Sequence, residues 1–314
     1  MSRLTIEQAG PMLTVQDLGR PGLLDRGVSG AGPMDPAAFR LANLLVGNGE
    51  QAAALEFALF GGRFTSDRPI RFAVTGGALD MRIDARACRP WESHFLQPGE
   101  VLTIGALQGA VWGTLAVSGG IETPPVLSSR STHLRSGLGG LEGRQLAAGD
   151  SLPLGEPNAA PLMRLSAALP RDRGPIRVVL GPQQDYFAPS VLARFLSQPF
   201  TIGPSRDRMA QVLNGPVLPA AGGHDIVSDG TVAGSIQVPA SGKPIVLMAE
   251  RQTTGGYPKI ATVASVDLSR LAQMPTGSRI TFRAIDRDAA EDLLIEHRHR
   301  LAVRLSGLEP TAGA

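Results

Sequence analysis

Residues 228–263 read SDGTVAGSIQVPASGKPIVLMAERQTTGGYPKIATV, and they carry the strongest structural signal in the chain. Two apolar runs in this stretch, 245–248 and 260–263, are short enough to be buried strands. A polar loop rich in hydrogen-bonding side chains lies between them. The stretch therefore predicts two strands that hold a loop in a fixed position.

The loop at residues 250–259 has the composition of a binding or catalytic loop. Gly255 and Gly256 permit positive φ angles and allow a ligand to approach the backbone closely. Pro258 favours an extended conformation of the preceding Tyr257, which fixes the direction of its hydroxyl group. A long polar hairpin loop without a function is the alternative interpretation.

Bulk composition indicates a β protein of one or two domains. The 314 residues include 38 glycines and 25 prolines, scattered between short β-branched runs, and 43% of the residues are hydrophobic. This pattern predicts a many-stranded fold with an ample core. A formal net charge of +2 and an aromatic content of 4% argue against a nucleic-acid-binding protein.

The single cysteine, Cys88, excludes an intramolecular disulfide and a cysteine zinc cluster. This usage fits a reducing compartment, and we interpret Cys88 as a structural or incidental thiol. No apolar run reaches the roughly 18 residues needed to span a bilayer, and the N-terminal sequence lacks the apolar core of a signal peptide. We therefore expect a cytoplasmic protein without a membrane partner.

The order of the predicted elements suggests two β domains. We expect an N-terminal domain at residues 1–160, a C-terminal domain at 175–305 and a disordered tail at 306–314. Helices are predicted at 36–45, 185–196 and 288–305. They are marked by proline and by apolar residues near 3.6-residue spacing.

Two acidic residues of the N-terminal domain have predicted structural roles. Asp35 precedes Pro36 and is expected to cap the first helix. Glu56 lies within an apolar run, and a charge there must be paired or must face a ligand. We expect it to accept hydrogen bonds from backbone groups.

Common catalytic motifs are absent from the sequence. Ser241-Gly242-Lys243-Pro244 is the closest match to a phosphate-binding loop, but it lacks the magnesium-binding hydroxyl and the strand–loop–helix context. No lysine lies between methionines, as a biotin acceptor would require. His297 and His299 are two residues apart on a helix and do not face each other. No metal site is predicted.

Several motifs occur in order between residues 4 and 284. They are TVQDLGR at 14–20, GVS at 27–29, MD at 34–35, ANLLVGN at 42–48, LE at 55–56, LAVSGGI at 115–121, SRST at 129–132, GD at 149–150, GSIQVP at 234–239 and QTTGGYP at 252–258. This set resembles the family of the C subunit of 5-oxoprolinase, also called allophanate hydrolase subunit 2. The family includes part of the carboxyltransferase region of urea carboxylase.

The sequence departs from the family pattern at four places. Glu250 stands where the family favours aspartate, and Trp112-Gly113-Thr114 replaces a segment that often holds arginine and tyrosine. Leu127-Ser128-Ser129 replaces Leu-Gly-Ser, and the sequence RMAQVL at 208–213 replaces Arg-Met-Gly-x-Arg-Leu. If the second arginine of that motif holds an anion, its loss alters the choice of substrate.

The resemblance implies a mainly β fold with two cyclophilin-like β-barrel units, short helices and a C-terminal helix. It implies ATP-dependent opening of 5-oxoproline to glutamate, in a complex with subunits B and A in which this chain is inactive alone. We expect a heteromer, such as a dimer of heterodimers, with ATP shared with the partner subunits.

The same resemblance leads to a hypothesis for the site. One wall is formed by Gln16, Asp17, Arg20 and Asp35, and the other by Gln237, Glu250, Gln252, Thr254, Gly256, Tyr257 and Lys259. Asp17 or Glu250 would act as the base, with Tyr257 and Lys259 as further catalytic groups. Arg20 or Lys259 would hold a carboxylate or phosphate. In an alternative interpretation, Asp17 and Arg20 pair with each other and only pin a loop.

Two rival functions stay open at this point. The first is a carboxyltransferase that moves CO₂ from carboxybiotin, held on a separate carrier, to a small amide. The second is a non-catalytic regulatory partner of a histidine-kinase inhibitor.

Overall fold

The computed structural model describes residues 2–165 and 172–311, which form two compact units. Of these residues, the first unit takes 2–20, 31–165 and 301–311, and the second takes 21–30 and 172–300. Residues 21–30 thus belong to the second unit, and residues 301–311 belong to the first. In the second unit Ser29 Oγ donates to the carbonyl oxygen of Ala249 at 3.5 Å.

Two antiparallel sheets and a small two-stranded ribbon build the first unit. Its strands are β1 Arg3–Ala9, β2 Thr14–Gln16, β3 Ala54–Ala58, β4 Phe60–Ser66, β5 Ile70–Thr75, β6 Ala78–Ile83, β7 Arg86–Cys88, β8 Ser93–Leu96, β9 Leu102–Gln108, β10 Trp112–Val117, β11 Ser151–Pro153 and β12 Met163–Leu165. The strand orders are β11-β1-β4-β9-β6-β7 and β2-β3-β10-β5-β8. Apolar side chains of both sheets form one core, which contains Leu4 and Phe64 from one sheet and Leu55 and Phe72 from the other.

Helix α1, Pro36–Leu45, covers the outer side of the five-stranded sheet. It begins as predicted, with the Asp35 carboxylate accepting from the amide of Ala38 and with Pro36 in the first turn. The buried Glu56 accepts from the backbone amide of Met34 at 2.7 Å. The predicted structural role of Glu56 is therefore confirmed.

A tight turn at residues 126–129 contains two consecutive residues with left-handed backbone. Leu127 has a φ of 51° and Ser128 a φ of 65°, and the amide of Val126 donates to the carbonyl oxygen of Ser129 at 2.8 Å. L-residues other than glycine are strained in this conformation. The turn explains why glycine suits position 128 in the family pattern, and why serine there is costly.

A single eight-stranded sheet forms the second unit. Its strands are β13 Ile176–Leu180, β14 Phe200–Arg206, β15 Ala210–Asn214, β17 Ser235–Gln237, β18 Ile245–Leu247, β20 Lys259–Val263, β21 Arg279–Ile280 and β22 Phe282–Ala284, and a small separate ribbon pairs β16 Asp229–Gly230 with β19 Thr254–Gly255. The sheet order is β21-β14-β15-β18-β17-β20-β13-β22. Only Thr281 separates the two edge strands in sequence, so the sheet curls into a nearly closed barrel. The predicted mainly β fold is confirmed.

Cross-strand partners place one amide among the apolar residues of the barrel. Gln211 lies opposite Val246, Val246 opposite Ile236, and Ile236 opposite Ala261, so these four side chains share one face. All four residues are fully buried. Both polar atoms of the Gln211 amide lack a hydrogen-bond partner in the described part of the chain.

The remaining helices are short except for the last one. They are α2 Pro189–Ser197, α3 Ser265–Gln273 and α4 Arg287–Leu305, with single 3-10 turns at Leu24–Arg26, Leu134–Ser136 and Gln184–Tyr186. The predicted helix at 185–196 is therefore split, and its α-helical part starts at Pro189, where proline suits the first turn. None of the helices in the described residues is long and apolar enough to cross a membrane.

The predicted disorder of residues 306–314 is corrected for part of the tail. Strand β23, Leu308–Pro310, pairs antiparallel with β12. Leu305 and Leu308 also pack against a small cluster around Leu41 and Trp91. These contacts order the segment, and residues 312–314 lie outside the described part.

We expect Ser128→Gly to stabilise the protein by about 1 kcal/mol, because glycine adopts a positive φ without the steric cost. Chemical denaturation monitored by circular dichroism measures the change. Ser190→Gly is the matched control, since Ser190 lies in helix α2 and its φ is not positive. It should destabilise by up to about 1 kcal/mol. A loss of stability in Ser128→Gly would contradict the strain argument.

Gln211→Met should raise the free energy of unfolding by about 1 kcal/mol, because it removes a buried amide that lacks partners while keeping the side-chain volume. Asn48→Leu is the control. Its amide accepts from Gly119 N at 2.8 Å and donates to Asn43 Oδ1 at 3.0 Å, so its loss leaves a backbone donor and a buried side-chain acceptor without these partners. Thermal unfolding midpoints should move in opposite directions for the two variants, and a shared direction would be evidence against this account.

Candidate functional site

Asp17 holds a neighbouring loop through both oxygens of its carboxylate. Oδ1 accepts from Gly19 N at 2.9 Å, Ser129 Oγ at 2.5 Å and Ser131 Oγ at 2.7 Å. Oδ2 accepts from the amide of Arg130 at 2.6 Å. With these donors in place, the Asp17 carboxylate fixes the position of residues 129–131.

Arg20 and Gln16 bind the same loop from neighbouring positions. Arg20 is 2% exposed, and its guanidinium donates to the carbonyl oxygens of Val126 at 3.0 Å and Ser131 at 2.6 Å. The buried Gln16 amide donates to the carbonyl oxygen of Thr132 at 3.1 Å. The first unit thus brings together three of its four predicted site residues, and each of them pins the loop at 126–132.

Asp35, the fourth residue of that predicted wall, has a different local task. Its carboxylate caps α1 through the amide of Ala38 at 3.3 Å. An acidic cap also complements the positive end of the helix dipole. The structure therefore gives Asp35 a clear stabilising role in α1.

Glu250 begins the polar loop of the second unit and forms a buried ion pair. Arg208 Nε donates to Glu250 Oε1 at 2.5 Å, and the two side chains are 1% and 3% exposed. The backbone amide of Glu250 also donates to the carbonyl oxygen of Arg208 at 2.8 Å. A buried carboxylate requires such a partner, because an unpaired charge is expensive in a low-dielectric interior.

Lys259 ends the same loop and extends a buried side chain to a surface carboxylate. Its Nζ donates to Asp229 Oδ2 at 2.6 Å, and Gln183 Nε2 reaches the same oxygen at 3.4 Å. The hydrogen bond from Lys259, the amide of Gly230 and the positive charge of Lys259 lower the pKa of the Asp229 carboxyl. The ammonium group is therefore neutralised at the edge of the unit.

An irregularity in β20 brings Lys259 next to Gln237. Ile236 lies opposite Ala261, but the next residue, Gln237, lies opposite Lys259 and skips Ile260. Such a bulge changes the face to which a side chain points. Without it, strict alternation would place Lys259 and Gln237 on opposite faces of the sheet.

Gln237 and Gln252 form a pair of amides with one hydrogen bond between them. Gln252 Nε2 donates to Gln237 Oε1 at 3.2 Å. The other two polar atoms, Gln237 Nε2 and Gln252 Oε1, are buried without a partner among the described residues. A Cβ atom at Gly255 would lie 2.3 Å from Gln237 Nε2, so a larger residue there would force the Gln237 amide to move. The pair therefore leaves one donor and one acceptor unsatisfied inside the second unit.

The tip of the loop lies at the surface of the second unit. Thr254 belongs to β19, which pairs with β16, and the carbonyl oxygen of Gly256 accepts from the amide of Ile226 at 2.8 Å. Tyr257 is 41% exposed. Thr254, Gly256 and Tyr257 therefore form an ordered and accessible rim.

Sequence reasoning missed several residues of this cluster. Arg208 was visible only as the start of a divergent motif, and Asp229 and Gln183 belong to no motif. Val212 stands where the family motif has its second arginine. It lies opposite Ile245, which in turn lies opposite Gln237. The residue at 212 thus shares a sheet face with Gln237.

No group of three or more potential metal ligands occurs within residues 2–165 and 172–311.

We expect Lys259→Met to raise the pKa of the Asp229 carboxyl, because the variant removes the largest cause of its depression. Carbon-detected NMR titration of the aspartate carboxyl groups measures this shift. Gln183→Leu is the control and should give a smaller rise, since its hydrogen bond is longer. An unchanged Asp229 titration in Lys259→Met would contradict the contact.

The sign of the effect on stability follows from the lowered pKa. The Lys259–Asp229 pair stabilises the fold above the ordinary carboxyl pKa, and this contribution is lost as the pH falls through the depressed value. The contribution is small because the Asp229 side chain is 51% exposed.

Comparison with known proteins shows extensive similarity. The C subunit of 5-oxoprolinase from Escherichia coli (strain K12) is 39% identical over 281 residues, which cover 89% of this chain and 90% of that protein. The protein of the same name from Haemophilus influenzae is 36% identical over 280 residues, with the same coverage of 89% and 90%. The crystal structure of Kluyveromyces lactis urea carboxylase matches with a TM-score of 0.87 at 27% identity, over 96% of this chain and 29% of that chain.

The match to a family model agrees with these relatives. It extends from residue 26 to residue 284 and therefore includes most of both units. The chain belongs to the family described as carboxyltransferase domain, subdomain A and B.

Proposed function

We propose that this chain is a subunit of an ATP-dependent 5-oxoprolinase, which opens 5-oxoproline to glutamate together with subunits B and A. The observation that carries the proposal is the 39% identity to the C subunit of the Escherichia coli 5-oxoprolinase, over 90% of that protein's length. The chain would be inactive alone and would work as part of a heteromer.

The chemistry explains why such a reaction needs ATP. A lactam carbonyl is a poor electrophile, and transfer of the γ-phosphoryl group to its oxygen creates a leaving group and releases ADP. One water then adds to this carbon, the ring C–N bond breaks and the nitrogen takes up a proton, which leaves an acyl phosphate of glutamate. A second water cleaves the acyl phosphate to give glutamate and inorganic phosphate. The protein contributes by positioning the reactants and by stabilising charge.

The second unit offers groups that fit an amide ligand. The unpaired Gln237 Nε2 can donate to a lactam oxygen, and the unpaired Gln252 Oε1 can accept from a lactam N–H. Tyr257 at the accessible rim can supply a hydroxyl group, and Lys259 can stabilise negative charge if its ion pair with Asp229 opens. We assign substrate binding to the two glutamines, with Thr254 and Gly256 as the rim, and catalysis to Tyr257 and Lys259.

The remaining predicted residues are assigned according to their contacts. Gln16, Asp17 and Arg20 would position the loop at 126–132 within the first unit, and Asp35 would support that unit through α1. Glu250 could act as a base only if its ion pair with Arg208 opened in the assembled complex. We therefore favour a positioning role for Asp17 and keep Glu250 as the candidate base.

ATP fits this chain poorly as a ligand of its own. The sequence Ser241-Gly242-Lys243-Pro244 connects β17 to β18 and has no helix after it, so it cannot act as a phosphate loop that ends at a helix N-terminus. We accordingly assign the main nucleotide contacts to the partner subunits.

A carboxyltransferase is the second candidate function. The family description and the TM-score of 0.87 to Kluyveromyces lactis urea carboxylase favour it. In that case the same amide pair would hold a urea-like acceptor. Carboxybiotin would arrive on a separate carrier and supply the carboxyl group.

Reconstitution with subunits A and B tests the proposal. We expect 5-oxoproline-dependent ATP hydrolysis by the mixed subunits, with glutamate formed in equal amount and no turnover when this chain is left out. Avidin should have no effect. Loss of activity with avidin, or turnover only with urea and bicarbonate, would instead support the carboxyltransferase.

Tyr257→Phe serves as the matched variant in the same assay. Because Tyr257 is 41% exposed, removal of its hydroxyl should leave the unfolding midpoint nearly unchanged. We expect turnover to fall by about 10²-fold or more, the usual contribution of a positioned proton-transfer group. Full turnover in this variant would remove Tyr257 from the site.

A further inference from the structure

Arg251 is a buried cation without an acidic partner. Arg251 is 8% exposed, and its Nε makes one long contact, 3.5 Å, to the carbonyl oxygen of Thr231. Neither terminal guanidinium nitrogen has a hydrogen bond or ion pair to any described residue. The described part of the chain does not fully enclose either of these two nitrogens. Both therefore remain open to a ligand.

Other arginines that are buried or half-buried use their terminal nitrogens within the protein. Arg206 donates to the carbonyl oxygens of Met274 and Ala272 at the end of helix α3, and burial lowers its pKa to about 10. Arg71 donates to the carbonyl oxygens of Val46 and Asn158. Burial also lowers the pKa of Arg251, but no carbonyl or carboxylate compensates its terminal nitrogens.

Arg251 carries a positive charge that the ion pairs of the loop do not compensate. Glu250 pairs with Arg208, and Lys259 pairs with Asp229, so each pair is neutral. Arg251 is the remaining ionised side chain of residues 250–259. The loop and its ionic partners therefore carry one uncompensated positive charge, which attracts an anion.

We propose that Arg251 binds the carboxylate of a small ligand through its two terminal nitrogens. A guanidinium presents parallel N–H groups whose spacing matches the two oxygens of a carboxylate. The proposal rests on the proposed function for the identity of that ligand, because 5-oxoproline carries a carboxylate beside its lactam and urea carries none. Arg251 thus selects an acidic lactam over a neutral amide.

The proposal can be tested by direct binding to the full chain. The ligands are 5-oxoproline, 2-pyrrolidinone, which is the same lactam without the carboxylate, and inorganic phosphate, with affinities measured by ligand-observed NMR. We expect 5-oxoproline to bind at least about tenfold more tightly than 2-pyrrolidinone, the effect of one charge-assisted hydrogen-bonded pair. Arg251→Met should abolish this preference, and Arg251→Lys should retain part of it.

Arg194→Met is the matched control. Arg194 is an exposed arginine of the same unit that donates to the carbonyl oxygen of Val217 at 3.1 Å, so the variant removes the same charge without the buried site. It should keep the preference for 5-oxoproline. A preference that survives in Arg251→Met, an absence of carboxylate selectivity in the unaltered chain, or tighter binding of phosphate than of 5-oxoproline would each overturn the proposal.

Turnover of the reconstituted complex separates this inference from the proposed function. If Arg251→Met leaves both kcat and KM for 5-oxoproline unchanged, the inference fails while the function stands. If the complex has no 5-oxoproline turnover but the chain still prefers the carboxylate, the function fails and the carboxylate site stands.

Discussion

The buried ion pair between Arg208 and Glu250 determines where the polar loop of the second unit begins. It reinforces the backbone bonds that join Glu250 to Arg208 and Met248 to Met209, so the ladder between β15 and β18 continues past both strands. Removal of one partner would leave an unpaired buried charge, at a cost of about 3–5 kcal/mol. This constraint makes the loop an ordered part of the barrel, although much of its tip is exposed.

The other end of the loop depends on an irregular strand. The bulge at Ile260 places Lys259 opposite Gln237, and the glycine at 255 leaves room for the Gln237 amide. Both features leave hydrogen-bonding capacity unused, because Gln237 Nε2 and Gln252 Oε1 have no partner among the described residues. Buried polar atoms in this condition cost free energy, and a ligand that supplies the missing partners recovers it.

Local signals in the sequence predicted those features that depend on near neighbours. Asp35 with Pro36 gave the start of α1, and the position of Glu56 in an apolar run gave its backbone-accepting role. Features that depend on distant pairing could not be predicted in this way. The register that brings Lys259 to Gln237 is one example, and the pairing of β23 with β12 is another, since their residues lie about 145 positions apart. A short polar tail looks disordered until its partner strand is known.

The divergent motif at 208–213 also gains a physical meaning from the structure. Arg208 is committed to Glu250, and Val212, where the family pattern has its second arginine, presents an apolar side chain on the face that carries Gln237. Neither position can then offer a free cation to an anionic ligand. Charge recognition in this unit must come from another residue, and Arg251 has uncommitted donors within the same loop. The loss of one arginine from the strand is therefore compatible with an acidic substrate.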